Sequence, residues 1–297
     1  LCLCACGSHD MHPPDFDGTA AMGVLQKQVA FGPRVPGTDP WVQCRRYLMD
    51  QLKEYGLSVD SQSFTFVDPY SGRTVPLVNI IASYRGADST DKALLLAAHW
   101  DSRPRTDYPS KAALADQPIP GANDGASGVA VLIELARLFH ETPPPANVDL
   151  VFLDGEDWGK SGDEQHYLLG ARKFAASGLS DRYRFGILLD MIGDADLRIY
   201  REGLSEQYVK FVNDYVWQSA ARLGLPAFVD SVKHTVLDDH VALNIGGIPT
   251  VDLIDFDYPY WHSDRDTPDK CSAKSLAQVG RLLAYIVYHP STWPDKP

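Results

Sequence analysis

Acidic and histidine side chains suited to metal binding follow apolar runs at several points of this 297-residue chain. They are His99 and Asp101, Asp124, the adjacent pair Glu156 and Asp157, Asp190, and His262. Carboxylates mixed with imidazoles, and no cysteine among them, are more typical of a catalytic zinc than of a structural one. The adjacent pair can divide into a general base and a metal ligand. The chemistry that these residue types predict is zinc-assisted hydrolysis or group transfer.

Short apolar strands alternate with amphipathic helices along the chain, and this alternation must position those side chains. Largely apolar runs predict buried strands at 93–98, 148–153, 186–189 and 249–254. Alternating runs predict half-buried strands at 57–66 and 77–84, and helical periodicity predicts helices at 18–30, 40–55, 128–139, 205–223 and 273–288. We expect an α/β fold with a central, mostly parallel mixed sheet and helices on both faces. The site then lies at the carboxyl ends of the strands.

The composition narrows the range of functions and the domain plan. The net charge of −12 and pI near 5.1 argue against nucleic-acid binding, which needs a basic face. No internal apolar run approaches the roughly 18 residues of a membrane-spanning helix. No linker divides the chain, so we expect one catalytic domain over 18–297, preceded by a tether over 1–17. The segment 100–120 is long for a connector and is expected to shape the cleft.

Three of the five cysteines crowd the first six residues. The segment 1–7 looks like the end of an apolar export signal with a bacterial lipobox, in which Cys6 is lipidated. We therefore expect export to the periplasm or cell envelope, with contact to a membrane only through this lipid anchor. The alternative is a truncated signal peptide without lipidation. Cys44 and Cys271 either form a disulfide or stay free, and the sequence leaves both open.

Each candidate residue also has an ordinary structural explanation. Asp124 lies in the small-residue loop 121–128, where an aspartate is either a metal ligand or a helix N-cap. Glu156 and Asp157 share one cleft only if the chain turns after Gly155, and otherwise form an exposed acidic turn. His99 stands two residues before an aspartate, a spacing that suits a ligand and its orienting partner, although a histidine at a strand end is commonly just hydrogen-bonded.

The order of these motifs resembles the zinc-dependent aminopeptidase superfamily, and within it the animal-type glutaminyl-peptide cyclotransferases. The resemblance runs from about residue 24 to residue 288. It rests on Phe-Gly-Pro-Arg-Val-Pro-Gly at 31–37, His-Trp-Asp at 99–101, the loop 121–128, Asp-Gly-Glu-Asp at 154–157, the segment 188–193, Asp-Asp-His at 238–240 and Trp-His-Ser at 261–263. Two positions depart from the pattern: Asp157 stands where glutamate is usual, and Ala98 stands where animal cyclases often carry a cysteine.

The resemblance implies specific roles for the residues that match. One zinc would be held by Asp124, Asp157 and His262. Glu156 would be the general acid and base, within an acidic network that includes Asp190 and Asp238. The substrate pocket would contain Trp261, Trp158 and His240. In the aminopeptidase branch His99 and Asp190 bind a second zinc, bridged to the first by Asp124, and Asp101 supports them.

The resemblance implies an enzyme that acts on the N-termini of peptides or proteins. The expected reaction converts an N-terminal glutamine to pyroglutamate and releases ammonia, with one zinc as cofactor. The alternative within the same fold is a two-zinc aminopeptidase, because every ligand of that branch is present. An alternative of another class is a non-catalytic peptide-binding domain, which the complete set of ligands disfavours.

Overall fold

The computed structural model describes residues 13–86 and 92–295. Its strands are β1 (Ser58–Val67), β2 (Thr74–Tyr84), β3 (Ala93–His99), β4 (Val148–Leu153), β5 (Tyr183–Asp190), β6 (Ile199–Arg201), β7 (Phe228–Val232) and β8 (Thr250–Ile254). Its α-helices are α1 (Gly18–Ala30), α2 (Asp39–Glu54), α3 (Ser127–Glu141), α4 (Leu169–Ala175), α5 (Gly203–Arg222), α6 (Asp239–Ile245) and α7 (Ala273–Tyr288). The cysteines at positions 2, 4 and 6, with the lipidation predicted at Cys6, lie outside the described residues, so export and anchoring stay predictions.

Six strands form one mixed sheet in the order β1-β2-β4-β3-β5-β8. The four strands β4, β3, β5 and β8 run parallel, and the hairpin of β1 and β2 pairs antiparallel to β4. The pairing register aligns His99 with Leu153 and Asp190 with Ile254, so the parallel strands end at one edge. The predicted α/β fold with a mostly parallel mixed sheet is confirmed, and its carboxyl edge carries the candidate residues.

The apolar runs of the central strands are explained by helices that cover both faces of the sheet. Along β3, Leu94 and Leu96 pack into the core beneath α1, α3 and α7, whereas Leu95 and Ala97 pack into the core beneath α4 and α6. Successive side chains of a strand point to opposite faces, so a strand covered on both sides must be apolar throughout. Within the described residues no helix is long and apolar enough to cross a bilayer.

The structure also contains elements that the sequence pattern did not predict. A separate two-stranded parallel sheet joins β6 and β7, and the short helices α4 and α6 cover one face of the main sheet. Helix α6 is only seven residues long and begins with Asp-His directly after its N-cap, so its polar start hid its helical periodicity. Asp238 is the N-cap of this helix, and its carboxylate accepts a hydrogen bond from the amide of Asp239. The candidate acid Asp238 is therefore placed by a helix start.

Candidate metal centre

The loop that carries Asp124 is shaped by buried polar contacts rather than by capping of α3. The carboxylate of Asp266 accepts hydrogen bonds from the amides of Asn123 and Asp124, at 2.8 and 3.1 Å. Gly125 has a φ of +90°, and a Cβ there would stand 2.2 Å from the carbonyl oxygen of Asp101. The N-cap of α3 is Ala126, without a side-chain capping bond. The N-cap alternative for Asp124 is therefore wrong, and its carboxylate is free to face the site.

The Phe-Gly-Pro-Arg-Val-Pro-Gly segment at 31–37 supports the same loop. The guanidinium of Arg34 is fully buried and donates to the carbonyl oxygens of Trp100, Pro120 and Gly121, at 3.1, 2.8 and 2.6 Å. These carbonyls belong to the two ends of the segment that leads from β3 to Asp124. Arg34 therefore fixes the backbone around the candidate metal ligand, and this is what the segment contributes to the site.

Asp124, Asp157 and His262 converge at the carboxyl edge of the sheet, with one ligand atom from each within 4.8 Å of the others. The Nε2 atom of His262 lies 3.3 Å from Oδ1 of Asp157 and 3.8 Å from Oδ2 of Asp124. All three residues are buried, and Oδ2 of Asp124 and Oδ2 of Asp157 have no hydrogen-bond partner. Buried carboxylate oxygens without a partner are costly unless a cation or proton compensates them. The donor set therefore fits a zinc ion with a further position open for substrate.

Asp107 and Arg103 support this group of ligands, and sequence reasoning missed both. Oδ2 of Asp107 lies 2.8 Å from Nδ1 of His262, which turns Nε2 of that ring toward the two aspartates. Arg103 is fully buried, and its guanidinium contacts carboxylate oxygens of Asp157 and Asp107, at 2.5 and 2.8 Å. It also donates to the Tyr167 hydroxyl. Such partners orient metal ligands and fix the imidazole tautomer. Both residues lie in 100–120, the segment expected to shape the cleft.

The charges around the ligands shift their pKa values in opposite directions. Burial alone would raise the pKa of Asp157, but the positive charges of His262 and Arg103 lower it to about 2. Burial disfavours a charged imidazole at His262, yet the carboxylates of Asp157 and Asp107 raise its pKa to about 9. In the metal-free protein His262 therefore carries a proton at neutral pH, and zinc must displace it.

Glu156, Asp190 and Asp238 line one cavity with the three ligands, and its volume is about 540 Å³. Gly155 has a φ of +71°, and the turn that follows it brings both Glu156 and Asp157 to the cavity. The predicted turn is confirmed. Burial, and next the negative charge of Asp157, raise the pKa of Glu156 well above its usual range. Burial also raises the pKa values of Asp190 and Asp238. A carboxyl group with a raised pKa can both accept and donate a proton.

A second group of potential ligands adjoins the first through Asp124. Nε2 of His99 lies 3.2 Å from Oδ1 of Asp124 and 3.2 Å from Oδ1 of Asp190. On the other side of the ring, Nδ1 of His99 lies 3.6 Å from Oδ1 of Asp101. Asp101 also accepts hydrogen bonds from the amides of Glu156 and Asp157. The structure thus brings His99, Asp101, Asp124 and Asp190 together, in an arrangement that allows either a second metal or a hydrogen-bonded support.

Among the predicted pocket residues, only Trp261 lines the cavity. Its ring stacks on that of His262 with centroids 3.7 Å apart, and the Phe256 ring packs against it at a tilt with centroids 5.2 Å apart. Trp158 was predicted there wrongly, because its indole donates to Asp68 and packs with Val35 beneath the hairpin of β1 and β2.

His240 was also predicted at the pocket wrongly, because it starts α6 and points into the protein. It is fully buried, and its Nε2 lies 3.1 Å from a carboxylate oxygen of Glu202. Asp238, His240 and Asp252 form a third group of close ligand atoms there. Cys44 and Cys271 are free and buried, so the disulfide left open by the sequence is not formed.

The fold and this site define a class: zinc exopeptidase-like α/β enzymes, whose metal ligands lie at the carboxyl edge of a mixed sheet. The chain belongs to Peptidase family M28, whose family model matches residues 79–287. It is therefore an enzyme of the zinc-peptidase superfamily, with a glutaminyl cyclase or aminopeptidase-like function.

Solved structures and a curated relative include both kinds of enzyme. A glutaminyl cyclase from Bacteroides thetaiotaomicron, solved with N-acetylhistamine, is 36% identical and has a TM-score of 0.87, covering 93% of this chain and 99% of its own. A structure described as a leucine aminopeptidase precursor from that organism is 36% identical with a TM-score of 0.88, covering 93% and 98%. The glutaminyl-peptide cyclotransferase of Drosophila melanogaster is 25% identical over 85% of this chain and 76% of its own length. The chain spans only 31% to 42% of the length of three curated peptidases that it matches.

Proposed function

We propose that this enzyme is a zinc-dependent glutaminyl-peptide cyclotransferase, which closes an N-terminal glutamine of a peptide or protein to pyroglutamate and releases ammonia. The observation that carries the proposal is the wall of the cavity beside the candidate ligands. Trp261 is stacked on His262 and packs against Phe256, so an aromatic wall stands next to Asp124 and Asp157, where the short side chain of a glutamine would lie. Similarity over nearly the full length of a solved bacterial glutaminyl cyclase supports the same choice.

Residues of this chain would divide the work of the reaction between binding and proton transfer. Asp124, Asp157 and His262 would hold the zinc, which when bound polarises the side-chain carbonyl of glutamine and stabilises negative charge on its oxygen. Glu156 accepts a proton from the α-amine as the nitrogen bonds to the side-chain carbon. The same carboxyl group then gives a proton to the departing ammonia. Because the nucleophile belongs to the substrate, no activated serine or cysteine is needed.

The surrounding side chains favour ring closure over attack by water. Asp190 and Asp238 lie near Glu156, and the negative charge of Asp238 helps to keep its proton affinity high. Trp261 and Phe256 place large apolar groups on the cavity wall, and these would disfavour ordered water that could compete with the α-amine. The rest of the peptide leaves through the open side of the cavity.

A two-zinc aminopeptidase is the second candidate, and one observation favours it. His99, Asp124 and Asp190 approach each other as closely as the first three ligands do, so the geometry also accommodates a second metal beside the first. In that enzyme a water held between two metals would attack the peptide bond.

One paired measurement separates the two candidates. The zinc content per chain is determined, and the same preparation is assayed for ammonia release from a Gln-initiated peptide and for cleavage of an aminoacyl chromogenic substrate. We expect one tightly held zinc, ammonia release and no chromogenic cleavage. Two tightly held zincs with aminoacyl cleavage and no pyroglutamate would overturn the proposal.

A further inference from the structure

The rim of the catalytic cavity differs in character from one side to the other. One side is polar and exposed, with Ser161, Gly162 and Glu164. Another side carries the aromatic rings of Tyr108 and Trp261. Substrate residues beyond the first must cross this rim, because the reacting ends of an N-terminal glutamine face the candidate zinc and Glu156. The third side, formed by the chain just before α6, is apolar.

On this third side the cavity adjoins a groove of about 460 Å³, and Leu237 lines both. The groove runs between α4 and α6 and is lined almost entirely by apolar groups, with Arg172 the charged exception. The guanidinium of Arg172 is already engaged, because it donates to the carbonyl oxygens of Glu164 and Gln165. The groove therefore offers an extended peptide apolar contacts and few charges.

Leu237, Val241 and Ile245 form what we name the apolar strip of this groove. The spacing of four residues places Val241 and Ile245 on one side of α6, and Leu237, just before the N-cap, lines the same groove. Leu237 is 43% exposed and Ile245 is 83% exposed, values that stand out because such side chains are usually buried. Exposed apolar side chains that are aligned from the mouth of an active site indicate a binding surface.

We propose that the apolar strip binds the substrate residues that follow the N-terminal glutamine, and that it makes apolar residues there preferred. The proposal rests on the cyclotransferase function proposed above. Helix α6 rises about 9 Å from Asp239 to Ile245, and the two residues from Leu237 to the helix start add roughly 3 Å or more, so the strip is about 12 Å long. An extended peptide covers that distance with about four residues. The preference therefore extends over the second to fifth residues of the substrate, and glutamine amide is too short to experience it.

Steady-state kinetics on three substrates tests the proposal. They are glutamine amide, the peptide amide Gln-Ala-Leu-Ala-Leu and the peptide amide Gln-Ala-Ser-Ala-Ser. The test variant is Ile245→Ser, and the matched control is Val67→Ser, which changes a 64% exposed residue on β1 at the opposite edge of the sheet. We expect a KM about threefold to tenfold lower for the leucine peptide than for the serine peptide, as for an apolar side chain that is partly covered.

The Ile245→Ser variant is expected to remove about half of this difference on a logarithmic scale, the part due to the fifth residue, without changing kcat or the kcat/KM of glutamine amide, whereas Val67→Ser changes nothing. Equal KM values for the two peptides in the wild-type enzyme would overturn the binding role of the apolar strip but not the cyclotransferase function. A dimer that Ile245→Ser dissociates, seen by light scattering, would also overturn it, because a second copy would then cover the strip. No ammonia from glutamine amide would instead overturn the cyclotransferase function itself, and with it this assignment.

Discussion

The hydrogen bond between Asp107 and His262 gives the sharpest test of how the candidate metal ligands are organised. The Asp107→Asn substitution keeps the shape of the side chain but removes its charge. The wild-type carboxylate, 2.8 Å from Nδ1, accepts the ring proton and leaves Nε2 free for a metal. The asparagine amide can instead donate to Nδ1, which moves the ring proton to Nε2 and blocks that ligand. Loss of such an orienting partner typically weakens metal binding about 10- to 100-fold.

The pH of the measurement changes the size of this effect in a predictable direction. The metal-free His262 has a pKa of about 9, so only about one ring in a hundred is neutral at pH 7. Removing the charge of Asp107 lowers that pKa and relieves part of the competition between proton and zinc. The loss of affinity should therefore be smaller at pH 7 than at pH 9.5, where the ring is already neutral in the wild-type protein.

A competition titration against a fluorescent zinc chelator, carried out at both pH values, measures this effect. The control is Asp196→Asn, since that carboxylate is 88% exposed. Asp107→Asn should keep most of its turnover when zinc is saturating, because the substituted residue does not take part in proton transfer. An unchanged zinc affinity at pH 9.5 would refute the assignment of His262 as a ligand through Nε2.

Further predictions concern the base, the buried arginine and the proton on the metal ligand. Glu156→Gln should lower kcat about 100- to 10,000-fold with zinc still bound, whereas the control Glu164→Gln on the cavity rim should leave kcat unchanged. Assays of ammonia release and metal analysis measure both effects. Activity that survives the Glu156→Gln change would show that the base is misassigned. Arg103→Met removes the guanidinium that pairs with the buried carboxylate of Asp157. Denaturant titration of the metal-free protein should show a free energy of unfolding lower by about 3–5 kcal/mol, and a decrease below about 1 kcal/mol would contradict the ion pair. The apparent zinc affinity of the wild-type protein should rise about tenfold per pH unit between pH 7 and 9 and level off above pH 9. The reason is that zinc binds the neutral form of His262, whose pKa is about 9, whereas Asp157, with a pKa of about 2, is already ionised. A zinc affinity that does not change with pH would contradict a protonated His262 ring.

Much of the fold could be predicted from the sequence because the pattern of the core strands is locally unambiguous. The strand predicted at 148–153 and the helix predicted at 18–30 match the observed bounds. The strand is marked by a largely apolar run, and the helix by Asp17 before it and Gly32-Pro33 after it. Strand β5 begins at Tyr183, three residues before its predicted start, because charged Arg184 interrupts the apolar pattern. Helices of seven residues, such as α4 and α6, are too short to show a period.

The candidate site was predictable where its residues follow strands and unpredictable where tertiary contacts place them. His99 and Asp190 end strands, so their meeting at one edge follows from the parallel sheet. Asp107 contacts His262, 155 residues away along the chain, and no local sequence pattern indicates such a contact. Trp158 and His240 carry the residue types of a pocket, but Trp158 packs beneath a hairpin and His240 is turned inward by α6.

We propose that this enzyme closes a ring on an N-terminal glutamine instead of cleaving the bond that follows it. Mass spectrometry of one Gln-initiated peptide, incubated with the zinc-loaded enzyme, distinguishes these reactions in a single spectrum. We expect a product that has lost the mass of ammonia, formed faster than in a matched incubation with the Glu156→Gln variant. A product shorter by one glutamine residue, with no loss of ammonia, would contradict it.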